Sequence, residues 1–367
     1  MRVDTTVVET NIHYPTDSSL LGDGVRVLTR TMKKITGIAG AAGTQLRDRS
    51  RSVKWRVLEI ARAARAKGRQ SGEKLAQAYR RLLEATGRVV GQAKRFATQI
   101  GDGVKRAADT RRQVVLEGLR RELESMVPRV RQVMRQTNAR VFAGDTHAEN
   151  KIVSLFEPST EVIRKGKAGK PTEFGKIVKL QEAENQIVVA YEVYDRRPSD
   201  SDLLLAAIET HQATLGCTPH LVAADAGFYS AKNEAAAKAK GVKRVCIPNR
   251  STKSPERKRE QKKRWFRNGQ KWRTGCEGRI SVVKRRHGLG RSRYKGDTGI
   301  KRWVGLGVIA ATTWSTSAAS WPSSPADNPT PTPTPTHFTT CRRRPAGGSA
   351  RPDSLHGRPK TASCAGK

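Results

Sequence analysis

Arg273, Glu277 and Lys284 follow one another at intervals of four and seven in KWRTGCEGRISVVKRRHG. At 100° per residue, offsets of four and eleven return to within about 40° of the start, so the three share one face of a helix. Between Lys243 and Arg302 there are 22 Lys and Arg, but only four acids: Glu256, Glu260, Glu277 and Asp297. A solitary carboxylate on a basic helix suits metal ligation, with the neighbouring cations on phosphates. Two further acids qualify as partners. Asp225 closes the short apolar run HLVAADAGF, which has the shape of a buried strand with a functional tip. Asp4 lies in the β-branched stretch RVDTTVV. Two-metal phosphoryl chemistry needs such clustered carboxylates on rigid elements, with divalent ions roughly 3.5–4 Å apart. Asp145 in Gly-Asp-Thr-His and Glu157 in Phe-Glu-Pro compete with Asp4 as first acid, or else cap and order their loop. Plainer roles stay open too: a turn acid for Asp225, an i,i+4 partner of Arg273 for Glu277, and solvated charges for Arg273 and Lys284.

The elements that must position these residues alternate in kind. MRVDTTVVETNIH reads as a strand followed by a turn region. Residues 20–138 are rich in Ala, Arg, Leu and Lys, with Val115, Leu119, Leu123, Met126, Val130 and Val133 at steps of three and four. Amphipathic helices packed on one another are expected there. Strands are then expected at KIVSLFEP, EFGKIVKLQEA and QIVVAYEVYD, the last two as a hairpin across Glu182–Asn185. SDSDLLLAAIETHQATLG reads as a capped helix ending at Gly216, and SAKNEAAAKAKG as one ending at Gly241. VKRVCIP is another buried strand, and a basic loop over 249–264 leads to the Glu277 helix. This order indicates an α/β fold with a mixed sheet.

The sequence has 367 residues and a formal net charge of +38, which points to a polyanion as partner. No run of 18 apolar residues and no signal peptide is present, so neither membrane spanning nor secretion is expected. The five cysteines are scattered without a CxxC pair, which disfavours a zinc site and suits a reduced, cytoplasmic setting. After Ala310 come nine of the 17 prolines, a Pro-Thr repeat and almost no Leu, Ile or Val, so residues 311–367 are expected to be disordered. Residues 311–318, Ala-Thr-Thr-Trp-Ser-Thr-Ser-Ala, are compatible with codons that encode Asp-Asn-Leu-Val-Asn-Ile-Gly in another frame. That is an apolar continuation of RWVGLGVIA, and a frameshifted tail is the corresponding expectation.

At these residues the chain resembles the DDE transposases of bacterial insertion sequences. Arg273–Glu277–Lys284 has the intervals around the family's third acid; the Tyr that tends to precede the Arg by three is here Gln270. Asp225-Ala-Gly-Phe-Tyr-Ser resembles the second acid and Asp4-Thr-Thr-Val-Val the first. The resemblance covers residues 2–310. It implies a ribonuclease-H-like mixed sheet flanked by helices: a first strand within 1–19, a large all-helical insertion over 20–138, and the remaining catalytic core over 139–310. It also implies two Mg2+ ions, replaceable by Mn2+, on Asp4, Asp225 and Glu277, and cleavage followed by strand transfer at element ends. Double-stranded DNA, as terminal inverted repeats and target, would be held by Arg273, Lys284, Arg285, Arg286, Lys262, Lys263 and Arg264. A homodimer on DNA, in the cytoplasm with the nucleoid, is expected. The family carries a DNA-binding region before its first strand, so an N-terminal truncation is expected as well, and with it an inactive basic DNA-binding remnant as the alternative.

Overall fold

The structure is a computed structural model that describes residues 1–39, 45–66, 71–104, 109–164, 169–184 and 187–320. β1 (Arg2–Glu9) is followed by four helices, α1 (Asp17–Ala39), α2 (Ser50–Ala63), α3 (Ser71–Val104) and α4 (Thr110–Phe142). Leu21, Leu28, Met32, Leu82, Val89, Leu123, Val130 and Val133 form the apolar core between them. The three-and-four spacing read along α4 is therefore its buried stripe from Leu119 to Val133, whereas Val115 is exposed and Leu116 is buried in its place.

The chain then returns to the sheet with β2 (Glu161–Arg164), β3 (Thr172–Glu182), β4 (Val188–Val193), β5 (Leu221–Ala223) and β6 (Arg244–Cys246). The sheet order is β2-β3-β1-β5-β6, and β4 also pairs with β3. β1 lies antiparallel to β3, with Arg2 opposite Glu182 and Glu9 opposite Gly175. It lies parallel to β5, with Arg2 opposite Ala223, and β5 is parallel to β6. A side chain at Gly175 would place its Cβ 2.1 Å from the Val8 carbonyl oxygen, so only glycine lets the two backbones approach here.

Both faces of this mixed sheet are covered. On one side α5 (Leu203–Leu215) and α6 (Ala231–Ala239) bury Val3, Val222 and Val245 with Leu204, Ile208 and Phe228. On the other, α8 (Arg264–Arg286) and α9 (Gly296–Ser320) bury Val8, Val178 and Leu180 with Val283, Val304 and Val308. Being covered on both sides is why β1 reads as a nearly continuous β-branched run.

Three expectations need correction. KIVSLFEP forms no strand; the strand lies at β2, just beyond it. Val153 and Leu155 are buried, but α4 side chains satisfy the backbone instead of a ladder. The Gln136 amide accepts from Ile152 N and donates to its carbonyl, and Arg129 donates to the Leu155 carbonyl. Inside the basic loop, α7 (Pro255–Lys262) forms because Ser254 caps it and Pro255 suits its first turn. Finally, α9 runs to Ser320, so the first ten residues of the expected disordered tail are helical. Ala311 is buried beside Val304 and Val308, continuing their stripe. The Pro-Thr repeat lies outside the described residues.

Candidate active site

The register of two neighbouring strands relates the first two acids. Arg2 of β1 stands opposite Ala223 of β5, and Ala223 N donates to the Met1 carbonyl. Asp4 lies two residues beyond Arg2, and Asp225 two beyond Ala223. Side chains alternate with period two and parallel strands run about 4.8 Å apart, so an extension of the ladder past its one pair would set both acids on one face. That face is the one α8 covers, since Ala223 packs on Phe266 and Val8 on Val283. Asp225 precedes a 3-10 turn, Ala226–Phe228, held by Phe228 N donating to the Asp225 carbonyl. Its side chain makes no capping hydrogen bond, so the turn does not consume the carboxylate.

α8 presents a buried stripe of Phe266, Gly269, Arg273, Cys276, Arg279 and Val283. Arg273 sits in the middle of that stripe and Glu277 at its rim, 55% exposed. The Arg273 guanidinium lies between two of the acids: Nη2 is 2.9 Å from Glu277 Oε1 and Nη1 is 3.8 Å from Asp4 Oδ2. Arg273 Nε and Nη1 are buried and find no hydrogen-bond acceptor among the described residues. Lys284 is half-buried further along, and Arg285, Arg286, Lys262, Lys263 and Arg264 are exposed.

Two acids missed by the sequence reading belong to the surroundings. Glu182 is buried and receives Arg2 Nε and Nη2 at 3.0 and 2.7 Å, with Arg279 at 3.8 Å. Asp200 accepts from the Thr5 hydroxyl at 3.1 Å. Their signals were weak because Glu182 looked like a hairpin end and Asp200 like a helix cap. Burial, and then the charges of Asp4 and Glu182, push the Cys276 thiol above its ordinary range. Trp265 and Trp272 pack against Ala223, Cys246 and Phe266, beneath the guanidinium groups of Arg244 and Arg2. They also line a cleft of about 1030 Å³ at the starts of β1, β5 and β6, away from the Asp225 tip. The competing first acids stand elsewhere. Both Glu157 oxygens accept from Gly296 N at the start of α9, and Asp145 accepts from His147 N.

Residues 152–313 match the family of transposase DDE domains. Over that span the chain is similar to a transposase DDE domain. Asp225 and Glu277 lie inside the matched span of this domain and Asp4 lies before it. No curated protein and no solved structure matches the chain. DDE transposases generally use divalent metal ions. Hard carboxylate oxygens on Asp4 and Asp225 suit such an ion. Among the described residues, however, no three acids, His or Cys are grouped closely enough to hold one, and Arg273 stands between Asp4 and Glu277. No helix among the described residues is long and apolar enough to cross a membrane.

Proposed function

We propose that the protein is a metal-dependent DNA transposase that cuts at the ends of an insertion sequence and joins them to target DNA. The observation that carries this is that Asp4 on β1 and Asp225, two residues past the end of the parallel neighbour β5, share a sheet with the helix bearing Arg273 and Glu277 packed over it, Arg273 reaching Asp4. The strand order and the parallel step from β1 to β5 support a ribonuclease-H-like core, with α1–α4 as an insertion after its first strand.

Asp4, Asp225 and Glu277 would hold two Mg2+ ions, or Mn2+ in their place, which activate the attacking oxygen and stabilise the leaving one. Glu277 joins this set once Arg273 leaves it for a phosphate. A planar guanidinium with two buried, unsatisfied donor positions suits that exchange, because a DNA phosphate supplies acceptors in the fork geometry. Lys284, Arg285 and Arg286 continue the phosphate contacts along α8, and Lys262, Lys263 and Arg264 continue them at its other end. In the first step water cuts a strand at the terminal inverted repeat; in the second the freed 3′-hydroxyl attacks double-stranded target DNA. Two copies on paired ends, in the cytoplasm with the nucleoid, fit this role.

The test is nicking of a duplex bearing the element's terminal repeat in Mg2+, with Glu277→Gln beside the wild type. Loss of nicking in the variant, with DNA binding retained, supports the enzyme. Equal nicking by both proteins removes Glu277 from the site. The Arg273 bridge favours a second reading, an inactive basic DNA-binding remnant, and the same assay identifies it as binding without nicking by the wild type.

A further inference from the structure

Asp200 opens a 3-10 turn, Asp200–Asp202, just ahead of α5. It touches both segments that carry the strand aspartates. Toward β1, its Oδ1 accepts from the Thr5 hydroxyl at 3.1 Å, and Thr5 N in turn donates to Asp4 Oδ1 at 2.7 Å. Toward β5, it packs against the turn that follows Asp225: a Cβ on Gly227 would lie 3.1 Å from Asp200 Oδ2 and 3.5 Å from Asp200 Cβ. Any side chain at Gly227 would press the carboxylate away from Thr5. Glycine there is a fit to Asp200, since Gly227 has no positive φ to explain it. Asp4 is paired by β3 and Asp225 lies two residues past β5, and the only ladder pair between β1 and β5 is Arg2 with Ala223, which leaves the spacing of the two acids unset by the sheet.

We propose that Asp200 is a positioning residue: by linking Thr5 to the Gly227 turn, it fixes the separation of the Asp4 and Asp225 carboxylates and so their joint affinity for a divalent cation. This rests on the metal-dependent reading given above. An acceptor oxygen is what the role demands, and a negative charge is not. Asparagine therefore serves at position 200, and alanine does not.

The experiment measures Mn2+ binding to the DNA-free protein by the electron paramagnetic resonance of free Mn2+, with nicking of the terminal-repeat duplex alongside. Asp200→Ala is expected to weaken Mn2+ binding by about tenfold or more, the scale of losing a partner behind a metal ligand. Asp200→Asn should stay within about threefold of wild type. Thr5→Val keeps the side-chain shape, removes the hydroxyl, and is expected to match Asp200→Ala, so the link is tested even if Asp200→Ala folds poorly. Wild-type affinity in both Asp200→Ala and Thr5→Val overturns the proposal. So does a loss in Asp200→Asn as deep as in Asp200→Ala, because Asp200 would then ligate the metal itself. Asp225→Asn is the control for the underlying reading: if it binds Mn2+ like wild type, the metal site itself is wrong, and the proposal falls with it. If Asp225→Asn fails to bind while Asp200→Ala binds normally, only the role of Asp200 is lost.

Discussion

Arg273 bears on both halves of the chemistry, because one guanidinium neutralises Glu277 and stands 3.8 Å from Asp4. Removing it brings carboxylates together without a counter-cation, an arrangement that a divalent ion relieves. Arg273→Met is therefore expected to bind Mn2+ several-fold more tightly than wild type in the absence of DNA, and to bind DNA more weakly. Titration of each ligand separately checks this, and a parallel loss of both affinities would contradict it. Thiol chemistry gives an independent check on the packing beneath α8. Burial holds the Cys246 thiol above its ordinary range and outweighs the hydrogen bond from Gln270, so little thiolate forms at pH 8. Cys217 is exposed. Peptide mapping after maleimide treatment should find Cys217 modified, with Cys246 and Cys276 protected until the protein is unfolded. At this scale the sequence pointed to the acids whose neighbours form recognisable patterns, Asp4, Asp225 and Glu277. Asp200 and Glu182 stayed hidden because their partners, Thr5 and Arg2, are 195 and 180 residues away.

At the scale of elements, apolar periodicity located β1, β3, β4, β5, β6 and the main helices, because those segments bury one side or both against a regular neighbour. It failed at KIVSLFEP, where burial is real but a long glutamine replaces the strand partner. The Gln136 amide serves one backbone donor and one acceptor of Ile152, at 3.0 and 2.9 Å. Gln136→Leu would leave both groups unpaired, at a cost of about 1–3 kcal/mol each. Urea unfolding of this variant should show a loss of roughly 2–6 kcal/mol. A change below about 0.5 kcal/mol, the size of an ordinary surface substitution, would mean that solvent serves Ile152 instead. The start of α9 is set in a similar way from a distance, by Glu157, whose carboxylate receives the first backbone N–H of the helix.

For the molecule as a whole, the charge of +38 was the most legible property, and it predicts behaviour rather than shape. DNA affinity should fall steeply with salt, by about a thousandfold or more between 50 and 200 mM if six or more phosphates are neutralised. Replacing Lys262, Lys263 and Arg264 together by Gln should lower the slope of log affinity against log salt by about three, one for each lost phosphate contact. An unchanged slope would place the DNA elsewhere on the protein. The sheet order was less legible, since periodicity says nothing of which strands become neighbours. Its most consequential pairing is the oldest strand with much younger ones. Arg2 meets Glu182 across 180 residues of chain. At about 5–20 residues per second, β1 leaves the ribosome roughly 9 to 36 seconds before β3 exists to receive it. During that interval the apolar segment of Val3, Val7 and Val8 has no sheet to join, while the four helices that follow have time to pack on one another. Asp4 waits longer still for Asp225 and then Glu277, so any fragment interrupted before α8 contains the first acid without a site around it.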